Sequence, residues 1–274
     1  MPPLTVSLIQ GTTRWHDPAG NRDNFEPLLA SVAYADVILL PEMFSTGFTM
    51  ESKVMAESMD GPTVTWMRAR AVALGSVIAG SLIVDDGGCF NRLIWATPDG
   101  RVQYYDKRHL FRMAGEDQYF SAGGERVIVS YRGWRLCLSV CYDLRFPVWL
   151  RNQGDYDALV CVANWPAARS AAWQTLLRAR SIENQAYCIG LNIVGRDGSG
   201  LDYAGGSAVY APDGEPLVLA GDQAGQVEAT LDFKALTALR TCLGSRCCSA
   251  ILCVRAAATM VRACSSRRWS PVAA

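Results

Sequence analysis

Three reactive side chains stand where apolar runs end. Glu42 closes DVILLPE (36–42), Lys107 closes RVQYYDK (101–107), and Cys141 stands near the end of WRLCLSVCYD (134–143). Each run reads as a strand, and ligands in α/β folds gather where strands end. A thiol can attack carbon, a carboxylate can carry a proton, and an ammonium can face developing negative charge. Taken singly, each residue also has a plainer reading. Glu42 fits a surface acid after a proline turn, Lys107 a solvated cation beside Arg108, and Cys141 one more core cysteine. Residue type alone therefore gives candidates, not a site. His16 and His109 are the only histidines, which excludes a multi-His metal centre and leaves Ser-His-Asp chemistry only those two.

The rest of the chain must position these groups. It has 274 residues, 50% hydrophobic and 19% charged, enough for a large core and unlike a disordered chain. Lys+Arg 26 balances Asp+Glu 26, so no net field draws nucleic acid or an anionic membrane. No apolar run reaches the roughly 18 residues of a membrane span. The opening MPPLTVSLIQ lacks the basic region and cleavage site of a secretory leader and reads as a first strand. Cys89, Cys137, Cys161 and Cys188 lie in apolar, strand-like runs, so they read as reduced core thiols of a cytoplasmic protein.

Strands are predicted over 4–10, 36–42, 76–84, 89–97, 101–107, 126–131, 134–143, 157–164, 185–195, 205–214 and 225–233. Helices are predicted over Asn21–Tyr34, from Pro62 through Leu74, over Pro147–Asn152 and over Ala171–Asn184. Each half reads as strands plus two helices, which suggests two sheets faced by helices within one domain.

At the three candidate segments the chain resembles the nitrilase superfamily of carbon–nitrogen hydrolases. That family carries Glu, Lys and Cys in this order, in segments like LLPE, YYDKRHLF and CYDLRF. Asn91, PDG (98–100), RARSIENQAY (178–187), Asn192 and GGSAVYAPDG extend the match, which runs from about Thr5 to Arg240. CYDLRFP, ANWPAARSAAW and HLFRMAGEDQYF resemble the ω-amidase-like branch, whose members cleave the terminal amide of 2-oxo dicarboxylic acid monoamides. The resemblance implies an αββα four-layer sandwich, with two mixed sheets face to face and helices outside. It also implies a homodimer, a small-molecule amide substrate, no metal and no organic cofactor. A nitrilase, an N-carbamoyl amide hydrolase and a deaminated-glutathione amidase are the alternatives within the family. A silent module that binds a small acid, or a cysteine redox sensor, is the alternative outside it.

By the same resemblance Cys141 is the nucleophile and Glu42 the general base. Lys107 and the Tyr142 backbone N–H stabilise the oxyanion, and the cation is expected to lower the thiol pKa. Glu116 is expected near the triad, orienting Lys107 or substrate, and His109 is expected to cap the loop. Arg145 is read as structural, holding a helix or Asp143, with a substrate-carboxylate contact as its other reading. Arg169 is a rival for that contact. Trp165 is expected at the pocket rim, and Phe48, Phe120 and Trp173 in its walls.

The hydrolase domain is accordingly read as residues 1–240. From Thr241 the chain turns Cys- and Arg-rich and carries no acidic residue, and the family pattern stops. This tail, 241–274, reads as the product of a frame change near residue 240. A surface helix over Ala250–Cys264 is its plain reading. A zinc cluster of Cys242, Cys247, Cys248 and Cys253 lacks paired CxxC spacing.

Overall fold

A computed structural model describes residues 1–244. The first half contributes strands β1 (Leu4–Gln10), β2 (Val37–Leu39), β3 (Val77–Asp85), β4 (Cys89–Ala96) and β5 (Val102–Asp106). The second contributes β6 (Ile128–Tyr131), β7 (Trp134–Val140), β8 (Ala158–Val162), β9 (Tyr187–Leu191), the short pair β10 (Val194–Arg196) and β11 (Asp202–Ala204), β12 (Ala208–Tyr210), β13 (Pro216–Leu219) and β14 (Gly225–Leu231). The helices are α1 (Pro18–Ala30), α2 (Ser52–Met55), α3 (Pro62–Leu74), α4 (Glu116–Tyr119), α5 (Pro147–Leu150), α6 (Ser170–Asn184) and α7 (Phe233–Gly244).

Two six-stranded mixed sheets result, ordered β14-β1-β2-β3-β4-β5 and β13-β12-β9-β8-β7-β6. Each has a parallel centre, β1-β2-β3 in one and β7-β8-β9 in the other, with antiparallel strands at the edges.

Period-two alternation builds the layers. Val37, Leu39, Val77, Ala79, Leu93 and Trp95 pack with the second sheet's Leu136, Leu138 and Val160 in one core. Their neighbours Ile38, Ile78 and Ile94 turn the other way, into a second core with Phe25 and Leu29 of α1 and Val64 and Met67 of α3. Central strands buried on both faces therefore read as unbroken apolar runs. Helix α6 covers the second sheet with Trp173 and Leu177, and Gly190 of β9 leaves the space that the Leu177 side chain fills. The outcome is the expected helix–sheet–sheet–helix sandwich.

Where expected and observed elements differ, the cause is local. Run 36–42 pairs as a regular strand only through Leu39, because Pro41 has no N–H to donate. Run 134–143 ends at Val140, and Cys141–Arg145 forms a 3₁₀ turn. Run 185–195 divides at Asn192, whose backbone N–H turns to Ser207 Oγ at 3.0 Å while its side-chain Nδ2 donates to the Trp165 and Gly205 carbonyls at 3.0 and 2.8 Å. Helix α1 starts earlier than Asn21, since Asp17 caps the Gly20 N–H and Pro18 occupies its first turn. Helix α3 runs as expected, from Pro62 to a left-handed Gly75 that closes its end.

The chain divides into a compact unit Met1–Leu236 and a second that begins at Thr237. The expected helix Ala250–Cys264 and the cysteines Cys247, Cys248 and Cys253 lie outside the described residues. Cys137, Cys161 and Cys188 are buried free thiols, and Cys89 is a half-buried one.

Candidate active site

The ends of β2, β5, β7 and β8 bring Glu42, Lys107, Cys141 and Asn164 together. Two of these ends bend sharply. Met43, directly after Glu42, has φ 40, and Cys141 has φ 46, a conformation that side chains other than glycine adopt only when their surroundings impose it. Asp143 imposes it at Cys141. One of its oxygens accepts from the Val140 N–H at 3.0 Å and the Tyr105 hydroxyl at 2.8 Å. The other accepts from the His109 backbone N–H at 2.9 Å and lies 2.8 Å from His109 Nδ1. A single buried carboxylate thus ties the cysteine turn to the Lys107 loop. The His109 ring also stacks on Phe146 at 3.6 Å. On the other side, Arg180 of α6 donates twice to the Leu144 carbonyl, at 3.0 and 2.7 Å.

Glu42 is wholly buried and held by fixed donors. Its Oε1 accepts from Lys107 Nζ at 2.9 Å and Asn91 Nδ2 at 2.8 Å, and its Oε2 from the Asn164 backbone N–H at 2.7 Å. The Cys141 thiol lies within electrostatic reach of the same carboxylate, and its Sγ is 4.0 Å from the Asn164 carbonyl oxygen. Lys107 Nζ also donates to both oxygens of Glu116, at 3.0 and 2.9 Å. Glu116 is therefore part of the buried cluster rather than a solvated loop acid, and the Phe111 N–H fixes it at 2.5 Å. Asn91 bridges the two acids, with Nδ2 3.3 Å from Glu116 and Oδ1 accepting from Ser81.

Burial alone would lower the Lys107 pKa, but Glu116 and then Glu42 overturn that and raise it above the ordinary lysine range. Burial raises Glu116, against the pull of Lys107. Burial also raises the Cys141 thiol well above its ordinary range, and Glu42 adds to this. Lys107 pulls the other way without prevailing. The expected cation-lowered thiol is thereby corrected: burial and then Glu42 outweigh the pull of Lys107, whose charge also faces two carboxylates.

Above the thiol lies a cavity of about 250 Å³. Phe48, Tyr142, Arg145, Trp165 and Arg169 all line it. Phe120 and Trp173 do not. Phe120 packs with Met43 and Ile83, and Trp173 stands in the core behind Trp165 at 5.4 Å. Arg145 does not hold Asp143, whose oxygens are engaged as described. It lies over the Trp165 ring at 5.0 Å, and Arg169 over the Phe111 ring at 5.1 Å. Neither guanidinium has a carboxylate partner among the described residues. The residues gave no advance sign of Asn91 as a bridge, of Asn164 beside the thiol, or of Trp15 and Tyr203 as cavity lining. Among the described residues, no three His, Cys, Asp or Glu side chains gather as metal ligands.

A thiol that lines a cavity, with a buried proton acceptor and a buried cation beside it, supplies the parts of covalent acyl-transfer chemistry. The model of the carbon-nitrogen hydrolase family matches residues 5–241, and the chain belongs to that family. It is an enzyme of the class that hydrolyses carbon–nitrogen bonds. It is 48% identical to the omega-amidase YafV of Escherichia coli over 242 residues, 88% of this chain and 94% of that one. It is 31% identical to the 2-oxoglutaramate amidase of Bacillus subtilis over 243 residues, 86% and 93% of the two chains. The crystal structure of XC1258 from Xanthomonas campestris, a CN-hydrolase superfamily protein with an arsenic adduct in its active site, superposes with a TM-score of 0.87. That pair is 49% identical, covering 92% of this chain and 97% of the other.

Proposed function

We propose that the enzyme hydrolyses the terminal amide of a small 2-oxo acid, such as 2-oxoglutaramate, through a Cys141 thioester. The observation that carries the reading is the carboxylate of Glu42, bonded at once to Lys107 and to the Asn164 backbone and close enough to the Cys141 thiol to act on its proton. In the first half-reaction Glu42 takes the thiol proton as Cys141 Sγ attacks the amide carbon. Lys107 Nζ and the Tyr142 N–H stabilise the oxyanion. Glu42 then passes the proton to the departing nitrogen, and ammonia leaves. In the second half-reaction Glu42 activates water against the thioester, and the acid product and free thiol re-form. Glu116 holds Lys107 in place throughout.

The two unpaired guanidiniums give the cavity a positive end that suits the substrate carboxylate. The names of the two amidase relatives support the same substrate class. The reading includes a homodimer, which the family resemblance implies, and a cytoplasmic location, which the reduced core cysteines suggest. Among the described residues no helix is long and apolar enough to cross a membrane.

The test is ammonia release from 2-oxoglutaramate and 2-oxosuccinamate, with a simple nitrile and an N-carbamoyl amino acid alongside. Turnover of the oxo-amides above the others is expected. A preference for the nitrile or the carbamoyl compound would replace the reading with that alternative, and no turnover of any would favour a binding module. Arg145→Ala and Arg169→Ala test the carboxylate contact. A charge-assisted hydrogen bond is worth about 1.5–3 kcal/mol, so losing it should raise KM for an anionic amide about tenfold to a hundredfold. KM for a neutral amide should stay level. Unchanged KM for the anionic amide in both variants would move the carboxylate elsewhere.

A further inference from the structure

We propose that the Asn164 side chain determines specificity by donating an Nδ2–H to the 2-oxo oxygen of the substrate. The inference rests on the function proposed above. Asn164 is 4% exposed, yet neither Nδ2 nor Oδ1 of its carboxamide has a hydrogen-bond partner among the described residues. Buried polar atoms are nearly always paired, and an unpaired amide is costly. The other buried side chains with unpaired atoms, Ser7, Arg70 and Trp95, do not line the cavity, whereas Asn164 does.

The position of Asn164 narrows the choice of partner. Its backbone serves the reacting centre: the N–H holds Glu42 at 2.7 Å and the carbonyl oxygen lies 4.0 Å from Cys141 Sγ. The carboxamide therefore begins one carbon away from the chemistry. Other groups already serve the scissile carbonyl oxygen, namely Lys107 and the Tyr142 N–H. The carboxylate has the guanidiniums of Arg145 and Arg169. What remains on a 2-oxo acid amide is one neutral acceptor between those two ends, the oxo oxygen. Several other neutral groups of the lining are engaged. Thr49 Oγ1 lies 2.8 Å from His16 Nε2, and the Ser199 and Tyr203 hydroxyls donate to Asp197 at 2.7 and 2.8 Å. The Trp165 N–H donates to Asn192 at 2.7 Å. Among the described cavity-lining side chains, Asn164 is the one buried with an unpaired carboxamide, so its Nδ2 is the buried donor free to meet an uncharged oxygen.

Replacement of the side chain leaves both backbone contacts of residue 164 in place, so the test is specific. kcat/KM would be measured for 2-oxoglutaramate and for glutaramate, which lacks only the oxo group, in wild type, Asn164→Leu and Asn164→Ala. The preference of wild type for the oxo compound should fall about tenfold in both variants, the scale of one hydrogen bond. Removing an unpaired buried amide should leave the melting temperature of Asn164→Leu level or raised, whereas a structural asparagine would lower it. An unchanged preference in a folded variant overturns this inference and leaves the proposed function standing. A wild type that hydrolyses neither compound overturns both. If Asn164→Leu fails to fold, the structural role is favoured, and Asn164→Ala decides the preference.

Discussion

Cys141→Ala should release no ammonia above the uncatalysed background, a loss of at least about 10⁴-fold, while keeping its fold. The size of the loss follows from covalent catalysis: without sulfur no acyl-enzyme forms, and Glu42 has nothing to deprotonate in the first half-reaction. The retained fold follows from what holds the turn. Val140, Tyr105 and His109 meet the Asp143 carboxylate rather than the thiol, and Arg180 grips the Leu144 carbonyl. Glu42 keeps its three donors from Lys107, Asn91 and Asn164. Ammonia release and thermal melting of the same preparation check both halves. Turnover near the wild-type level by a folded variant would remove Cys141 from the mechanism.

The layering of the fold could be read in advance wherever residues carry their own instructions. Val37 to Leu39 lacks polar residues because both faces of β2 are covered, and Pro62 and Gly75 mark the two ends of α3 by their own backbone preferences. Cys141 was misplaced at the end of a strand because nothing in VCYD announces a left-handed residue. The conformation is imposed through the contact of His109 with Asp143, two residues 34 apart in the chain. The same holds at Asn192, where the strand breaks as the backbone N–H turns to Ser207 and the side chain to the Trp165 and Gly205 carbonyls.

Candidate residues were legible by type, and their pairing was not. Arg145 sits two residues from Asp143, so an ion pair between them looked natural. Asp143 is instead taken by two residues of the Lys107 loop region and by Val140, which leaves the guanidinium to the cavity. The thiol was misjudged for a related reason. A lysine beside a cysteine lowers its pKa, but here burial and then Glu42 outweigh that pull. Burial thus favours the protonated thiol, which suits the proposed role of Glu42 as its base.

Lys107→Met should cost both activity and stability, and the stability loss should depend on pH. Activity should fall about 10³-fold or more, since the variant lacks the buried cation that meets the oxyanion. The fold should suffer because Lys107 is the charge partner of two wholly buried acids. Breaking such a cluster from one side typically costs about 3–5 kcal/mol. Without it Glu116, which burial already pushes toward its neutral form, takes up a proton. Burial already raises Glu116 above its ordinary 4.5 against the opposing pull of Lys107, and without that pull it rises further. An acid whose folded pKa is raised binds more protons folded than unfolded. Its favourable contribution is complete below the unfolded value and is lost as pH climbs toward the folded one. The deficit of the variant against wild type should thus be smallest near pH 4.5 and grow through neutral pH. In wild type Lys107 itself, raised above the lysine range, stays charged throughout that window. Lys107→Arg should not restore activity, because a planar guanidinium cannot replace a compact ammonium in a site with no spare exposure. Denaturant titrations of wild type and Lys107→Met at pH 5 and pH 8 check the sign. Equal deficits at both would mean that the two carboxylates do not depend on the lysine for their charge.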